Sequence, residues 1–531
     1  MMVYTNAVKS EFRNPHKVMP MSQSSPCILV IFGASGDLTK RKLVPALFDL
    51  YRQKLLPERF AVLGVSRSEY SDDAFRTYML ENVRKYHNGD GLDKALLKRF
   101  IAHLYYQAID TNDAAAYATL KTRLDDLNDE RQTGGNYIYY LSTPPSLYDK
   151  IPRYLGAHDL QVQGEGQGWK RLIIEKPFGY DLASAGALNR TIQQIFGEEQ
   201  IYRIDHYLGK ETVQNMLVFR FSNGIFEPLW NRNYIHHVEI TAAEFIGVEN
   251  RGRYYDHSGA LRDMVQNHLM QVLGMVAMEP PSRISATGVR NETVKVFDAL
   301  RVYRPEEVSR YVVRGQYTAS TVRGEAIPGY REEADIPADS RTETFVAVKA
   351  FIDNWRWGGV PFFIRTGKRL PTRVTEVVIH FKKTPHHLFT ENDQCDVSCN
   401  QLILRIQPDE GILVKFGMKL PGAGFQIRNV NMDFHYSDLT DAYIPSAYER
   451  LLLDCILGDA TLYARADAVE AGWKFVDPIL RAWQERPEIQ VFGYPAGTWG
   501  PRETQALFDE PGDDWRYPCA NLANDGEYCE L

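Results

Sequence analysis

"CILVIFGASGDLTKRKL", residues 27–43, passes from a short apolar run through a glycine-containing turn into a basic segment. The run is continuous and rich in β-branched residues, which suits a strand buried on both faces of a parallel sheet. Gly33 and Gly36 follow directly, and Asp37 to Leu55 reads as a helix. Glycines at such a junction permit a tight turn and close backbone approach, so that free N–H groups at the helix start can face a pyrophosphate. Such a cradle would be built from Gly33, Ser35, Gly36, Asp37 and Leu38. The spacing is G-x-x-G-D-L, not the stricter G-x-G-x-x-G, and on these residues alone an ordinary strand–helix turn stays open.

Outward from this turn, "RFAVLGVSRS" (59–68), "NYIYYLS" (136–142) and "KRLIIEKPFG" (170–179) alternate with helical stretches. Strands alternating with helices predict βαβ units, hence an α/β, Rossmann-like doubly wound parallel sheet with ligands at the carboxyl ends of its strands. NAD selectivity uses an acidic residue at the end of the second strand to bind the ribose 2′-OH. Here Ser66 and Arg67 occupy that place. A guanidinium suits a 2′-phosphate, so NADP is favoured, with NAD as a weaker alternative. Glu69 reads as a solvated residue.

Further along, "IHHVEITAAEFI", "ETFVAVKAFI", "PFFIRT", "TEVVIHFK", "QLILRIQP" and "GILVKFGMK" succeed one another with short polar or glycine-containing links. Strands without intervening helices predict a large, mainly antiparallel sheet. The segments 261–278 and 446–457 read as helices covering one of its faces, the other being available for self-association. The expected organisation is a disordered leader (1–26), a dinucleotide-binding domain (27–205) and an α+β domain for substrate binding and oligomerisation (206–531).

Bulk properties narrow the function. The chain has 531 residues, 44% hydrophobic and 24% charged, as in an ordinary globular protein of two domains or three. Its 61 Lys+Arg against 68 Asp+Glu leave a net charge of -7, with no sequence-wide attraction to nucleic acid or an anionic membrane. Six cysteines (27, 395, 399, 455, 519 and 529) are too sparse for a disulfide framework, and "CDVSC" lacks the second half of a four-ligand zinc site. No apolar signal core or membrane span is legible. Reduced thiols in a cytoplasmic protein are expected.

The densest chemistry lies in "RIDHYLGKE", residues 203–211. Together with "FGASGDLTK", "EKPFG", "RDMVQNH" and "YERLLLD", in this order and at these separations, it resembles the glucose-6-phosphate dehydrogenase family, from about residue 27 to the C-terminus. The leader and "CANLANDGEYCEL" fall outside the resemblance. It implies oxidation of β-D-glucose 6-phosphate at C1 to 6-phosphoglucono-δ-lactone with hydride transfer to NADP, the first oxidative step of the pentose phosphate pathway, in a homodimer or homotetramer.

The resemblance also implies roles. His268 of "QNH" becomes the base that takes the C1 hydroxyl proton, and Asp205 the carboxylate that fixes its tautomer. Taken alone, His268 would read as a satisfied core histidine. His206, Tyr207 and Lys210 bind the phosphate, joined by Lys368 and Arg373 of "RTGKRLPTR", with a solvated basic loop open for Arg373 and preferred for Arg369. Glu244, Asp263 and Gln407 meet sugar hydroxyls, and Lys176 touches both cofactor and sugar. Glu211 is assigned to holding Lys210. Pro177 is a candidate for a cis bond. No metal is expected, since hydride transfer from a hemiacetal needs no Lewis acid and no histidine pair has HExxH spacing. Animal members of the family bind a second, structural NADP; Arg405 and Lys415 are basic candidates for such a site, but matching tail aromatics are not evident, and the sequence leaves the site undecided.

Two competing readings explain less. Another NAD(P)-dependent sugar oxidoreductase with an "EKP" strand end accounts for Lys176 but not for the basic cluster of "DHYLGK". A non-catalytic NADP-binding subunit would be expected to have lost Asp205 or His268.

Overall fold

The computed structural model describes residues 24–87, 92–386, 388, 400–439 and 443–518. The leader up to residue 23 and Cys395, Cys399, Cys519 and Cys529 lie outside these. The chain divides into two compact units. One runs to Ile174 and takes in Thr191–Tyr202 and Tyr448–Ala460; the other comprises Glu175–Arg190, Arg203–Ala447 and the chain from Thr461 on.

The first unit is built on a six-stranded sheet of β1 (Cys27–Phe32), β2 (Phe60–Ser66), β3 (Leu104–Ala108), β4 (Tyr137–Leu141), β5 (Lys170–Ile174) and β6 (Ile201–Arg203), in the order β3-β2-β1-β4-β5-β6. β1 lies between β2 and β4 in parallel register, and every residue of it is buried, as its unbroken apolar run requires. The helix after β1 is a π-helical turn, Thr39–Leu43, continued as an α-helix, Val44–Arg52. It stops short of the predicted Leu55 because Lys54 takes a positive φ of 60°.

One expectation is corrected here. The helix Ala447–Leu457 does not belong to the large sheet's unit but to the first one. Arg171 on β5 holds its end, donating from Nη1 to the carbonyl oxygens of Cys455 and, at 2.8 Å, Ile456, the last-turn groups a helix leaves unpaired. Cys27 and Cys455 are free and buried. Burial pushes the Cys27 thiol up to about 12, far from a reactive thiolate.

The second unit holds a nine-stranded sheet. Its strands are β7 (Ile235–Ala243), β8 (Val312–Thr318), β11 (Phe345–Phe351), β12 (Pro361–Gly367), β13 (Val374–Phe381), β14 (Gln401–Gln407), β15 (Gly411–Lys419), β16 (Ile427–His435) and β17 (Phe492–Pro495), ordered β16-β15-β14-β13-β7-β12-β11-β8-β17. Two short strands, β9 (Ser320–Val322) and β10 (Glu325–Ile327), form a separate ribbon. The large sheet is mixed: β7 and β12 run parallel, as do β8 and β17, and the other pairings are antiparallel.

This register builds one rim of the sheet. β7 and β12 end side by side, with Ala243 opposite Gly367, so Glu244 and Lys368 emerge together. β13 starts there, with Val374 opposite Ala243, which brings in Arg373. β14 ends there, with Gln407 opposite Thr375. Four residues from three separate stretches of the sequence share the rim because of how these strands pair.

The segment 261–278 is helical, but its first part, Leu261–Leu269, is a π-helix that becomes an α-helix at Met270–Ala277. A break at Gly259, with φ 69° and ψ 172°, separates it from the preceding turns. That combination is open to glycine and hardly to any other residue. Among the described residues no helix is long and apolar enough to cross a membrane.

Candidate active site

His268 lies on the π-helix and is buried. Its Nδ1–H donates to Asp205 Oδ1 at 2.6 Å, and the same carboxylate oxygen accepts the N–H of Tyr207 at 2.9 Å. A carboxylate at Nδ1 places the proton there and leaves Nε2 with its lone pair. Burial raises the Asp205 carboxyl, but the charge and hydrogen bond of His268 outweigh it and bring it down to about 2. Burial lowers the His268 imidazole below its ordinary value, Asp205 opposing. At neutral pH the pair is therefore a carboxylate beside a neutral imidazole, the state a proton acceptor needs. Tyr207 stacks on the His268 ring at 4.5 Å and 22°, and His206 meets it edge-on at 4.3 Å.

A cavity of about 290 Å³ within the second unit is lined by His268 and by Lys176, His206, Tyr207, Glu244, Asp263, Lys368, Arg373 and Gln407. Asp205 stands behind His268, and Lys210 joins the wall through Gln407, to whose Oε1 its Nζ donates at 2.7 Å. Arg373 is exposed and donates to the same oxygen at 3.4 Å. Gln407 Nε2 in turn donates to Thr375 Oγ1 at 2.8 Å, which lies 3.3 Å from the Tyr207 hydroxyl. Burial lowers the Lys210 ammonium to about 8, the Glu410 carboxylate opposing. Burial lowers His206 well below its usual range and raises the Tyr207 phenol to about 12. These two are neutral donors at pH 7.

Lys176 Nζ donates to the backbone oxygen of Asp263 at 3.1 Å and to Oδ1 at 3.3 Å. Burial raises the Asp263 carboxyl, but Lys176 leads the charges that hold it at about 2. The Lys176–Pro177 bond is cis. Lys368 Nζ donates to Glu244 Oε2 at 2.7 Å, so two residues read separately from sequence form an ion pair.

Some expectations shift. Glu211 opens the helix Glu211–Ser222, where a carboxylate favours the dipole, while Gln407 and Glu410 act on the Lys210 ammonium. Arg369 is not a solvated loop residue: its guanidinium is largely buried, 3.6 Å from Glu333 and 3.9 Å from Glu249. Arg405 is buried and engages Asp433 through both terminal nitrogens, which leaves little of it for a dinucleotide phosphate. Sequence reasoning missed Arg251, Tyr255 and Met264 on the cavity wall. The basic and aromatic run "NRGRYYD" (250–256) was the signal for Arg251 and Tyr255, and Met264 sits inside "RDMVQNH" (262–268).

In the first unit, Gly33 has φ 81°, and a Cβ there would lie 2.0 Å from the Ser142 carbonyl oxygen, so the turn admits only glycine. The helical turns begin at Asp37, and the N–H groups of a first turn have no partner within the helix, which fits a pyrophosphate. Ser66 at the end of β2 is buried, its Oγ 3.0 Å from Ser35 Oγ and 2.6 Å from the Tyr106 hydroxyl. Arg67, next along, is exposed.

Residues 30–215 match the NAD binding domain of glucose-6-phosphate dehydrogenase and residues 217–516 its C-terminal domain. The chain belongs to the glucose-6-phosphate dehydrogenase family. It is an oxidoreductase with a nicotinamide-dinucleotide-binding domain. It is 57% identical over 492 residues to glucose-6-phosphate 1-dehydrogenase of Aggregatibacter actinomycetemcomitans, covering 93% of this chain and 97% of that protein. With the enzyme of that name from Treponema pallidum it shares 50% over 516 residues, 97% of this chain and 100% of the other. A solved glucose-6-phosphate dehydrogenase in complex with its substrate glucose-6-phosphate superposes with a TM-score of 0.83 at 35% identity, covering 92% of this chain and 98% of that one.

Proposed function

We propose that the protein oxidises β-D-glucose 6-phosphate at C1 to 6-phosphoglucono-δ-lactone and passes the hydride to NADP. The observation that carries this reading is the 2.6 Å His268–Asp205 contact beside a cavity that is also lined by Lys368, Arg373 and neutral donors, with Lys210 bonded to the lining Gln407. His268 Nε2 takes the proton of O1 as the C1 hydrogen leaves with its electron pair, and the C1–O1 bond becomes a carbonyl. Asp205 stabilises the imidazolium that forms. NADP, when bound, supplies the hydride acceptor at C4 of its nicotinamide.

The remaining side chains bind and orient. Lys210, Arg373, His206 and Tyr207 direct donors at the 6-phosphate, with Lys368 as a further cation. Glu244, Asp263 and Gln407 meet the sugar hydroxyls, and Lys176, neutralised by Asp263, faces sugar and cofactor. Gly33, Ser35, Gly36, Asp37 and Leu38 cradle the pyrophosphate, and Arg67 takes the 2′-phosphate. The first unit thus serves the dinucleotide and the second the sugar. Self-association is supported by Met418, Met432 and Phe434, apolar residues exposed on β15 and β16. A cytoplasmic location fits the buried free thiols.

The test is formation of reduced nicotinamide, followed by absorbance, with glucose 6-phosphate, glucose and other hexose phosphates. Turnover far faster with glucose 6-phosphate than with glucose or other hexose phosphates, and faster with NADP than NAD, is expected. Equal rates with unphosphorylated glucose would overturn the reading.

A further inference from the structure

The π-helix that carries Asp263 and His268 begins in an unusual way. The chain breaks at Gly259, with φ 69° and ψ 172°, and Leu261 opens the new helix. Glu343 faces this break. Its backbone oxygen accepts the N–H of Ala260 at 3.0 Å, and its side-chain Oε1 accepts the N–H of Leu261, also at 3.0 Å. The carboxylate fills the space above Gly259, where a Cβ would come within 2.4 Å of Oε1. Glu343 lies one residue before Thr344, close to the start of β11 (Phe345–Phe351), so a fixed point of the sheet grips the helix start.

We infer that Glu343, with Gly259, is a positioning residue: its carboxylate caps the π-helix at Leu261 and so sets where Asp263 and His268 stand. The physical reason is that the first N–H groups of a helix lack internal partners, and a buried one needs an acceptor. Glu343 is itself buried, which no surface role requires. Burial raises its carboxyl, and the Leu261 N–H, Arg262 and Arg314 pull it back. Gly259 and Glu343 form a matched pair: any side chain at 259 would displace the cap, even apart from the backbone strain. Neither residue lines the cavity.

The inference rests on the reading of His268 as the base, and the experiment separates the two. Full-length Glu343→Ala, Glu343→Gln and Glu343→Asp are compared with the parent and with His268→Asn for kcat, both KM values, the pH profile of kcat/KM and the melting temperature. Gln keeps an amide oxygen for the Leu261 N–H, so Glu343→Gln should stay within about threefold of the parent kcat, the change expected when a hydrogen bond is preserved. Glu343→Ala should lower kcat roughly 10–100-fold, the scale of a small displacement of catalytic groups, with KM for NADP unchanged and the acidic limb of the profile moved. If Glu343→Ala fails to fold, Glu343→Asp, whose carboxylate is withdrawn by one methylene, should show the same loss in kcat. A lower melting temperature with parental kcat and pH profile in the Ala or Asp variant would overturn the inference. So would a Glu343→Gln as impaired as Glu343→Ala, since charge and not the cap would then matter. Parental activity in His268→Asn would instead remove the base assignment, whatever Glu343 does.

Discussion

The ammonium of Lys210 lies 2.7 Å from the side-chain oxygen of Gln407, 197 residues further along the chain. That oxygen also accepts from Arg373, so two cations converge on one neutral acceptor. An arrangement of this kind has cationic capacity to spare for a dianion. Lys210→Ala should weaken glucose 6-phosphate by about 2–5 kcal/mol in kcat/KM, the range for loss of a buried charged contact, and leave the slow rate with glucose almost unaltered. Kinetics with both substrates on the one variant check this. Matched losses would mean that Lys210 supports the fold or the chemistry and not the phosphate.

Arg67 stands exposed at the end of β2, where the buried Ser66 is already committed to Ser35 and Tyr106. Only Arg67 of this pair has a charge to offer a 2′-phosphate. Arg67→Ala should therefore raise KM for NADP by about 1.5–3 kcal/mol while NAD kinetics hardly change. A common loss for both cofactors would assign Arg67 to structure.

Acid should destabilise the protein well above the carboxylate range. His237, on β7, is buried with its ring stacked on His380 at 3.9 Å, and burial lowers its imidazole from 6.5 to about 4, His380 adding to the effect. Between these values the unfolded chain takes up a proton that the folded one refuses, so stability is full above the unfolded pKa and declines as pH falls toward the folded one. His237 alone should remove about 2 kcal/mol between pH 7 and 5, at about 1.4 kcal/mol per unit. His206 and His268, also lowered, act in the same direction. Denaturant melts at the two pH values should show the parent losing more stability than His237→Gln. Parallel losses would contradict this account.

What was legible in the sequence followed apolar content. β1 is an unbroken apolar run, and β7, β12, β13 and β14 keep enough apolar residues around Glu239, Arg365, Glu376 and Arg405 to read as strands. β8 does not, because Arg314, Gly315 and Gln316 in succession interrupt "VVRGQYT" after only two apolar residues. Arg314 and Gln316 are buried there only since the guanidinium reaches the Ile489 carbonyl at 2.8 Å and the amide reaches those of Ser340 and Thr342. β16 escaped notice because most of its residues are exposed, leaving no alternation to read. Apolar periodicity announces a helix at 261–278 but neither its π form nor the break at Gly259 that precedes it.

The site shows the same division. "RIDHYLGKE" put Asp205, His206, Tyr207 and Lys210 in one place by local sequence. Glu244, Lys368, Arg373 and Gln407 meet only through the register of β7, β12, β13 and β14, and for them family resemblance stood in for geometry. The Lys368–Glu244 ion pair follows from that register, and nothing in the spacing of the residues announces it or the bond from Lys210 to Gln407.

The account's central claim is that His268 removes the C1 hydroxyl proton. It is tested most directly by kcat of His268→Asn with saturating glucose 6-phosphate and NADP. Asparagine can still hydrogen-bond to Asp205 but cannot accept the proton, so kcat should fall roughly 10²–10⁴-fold with glucose 6-phosphate affinity little changed. A kcat within about threefold of the parent, far short of what removal of a general base costs, would contradict the account.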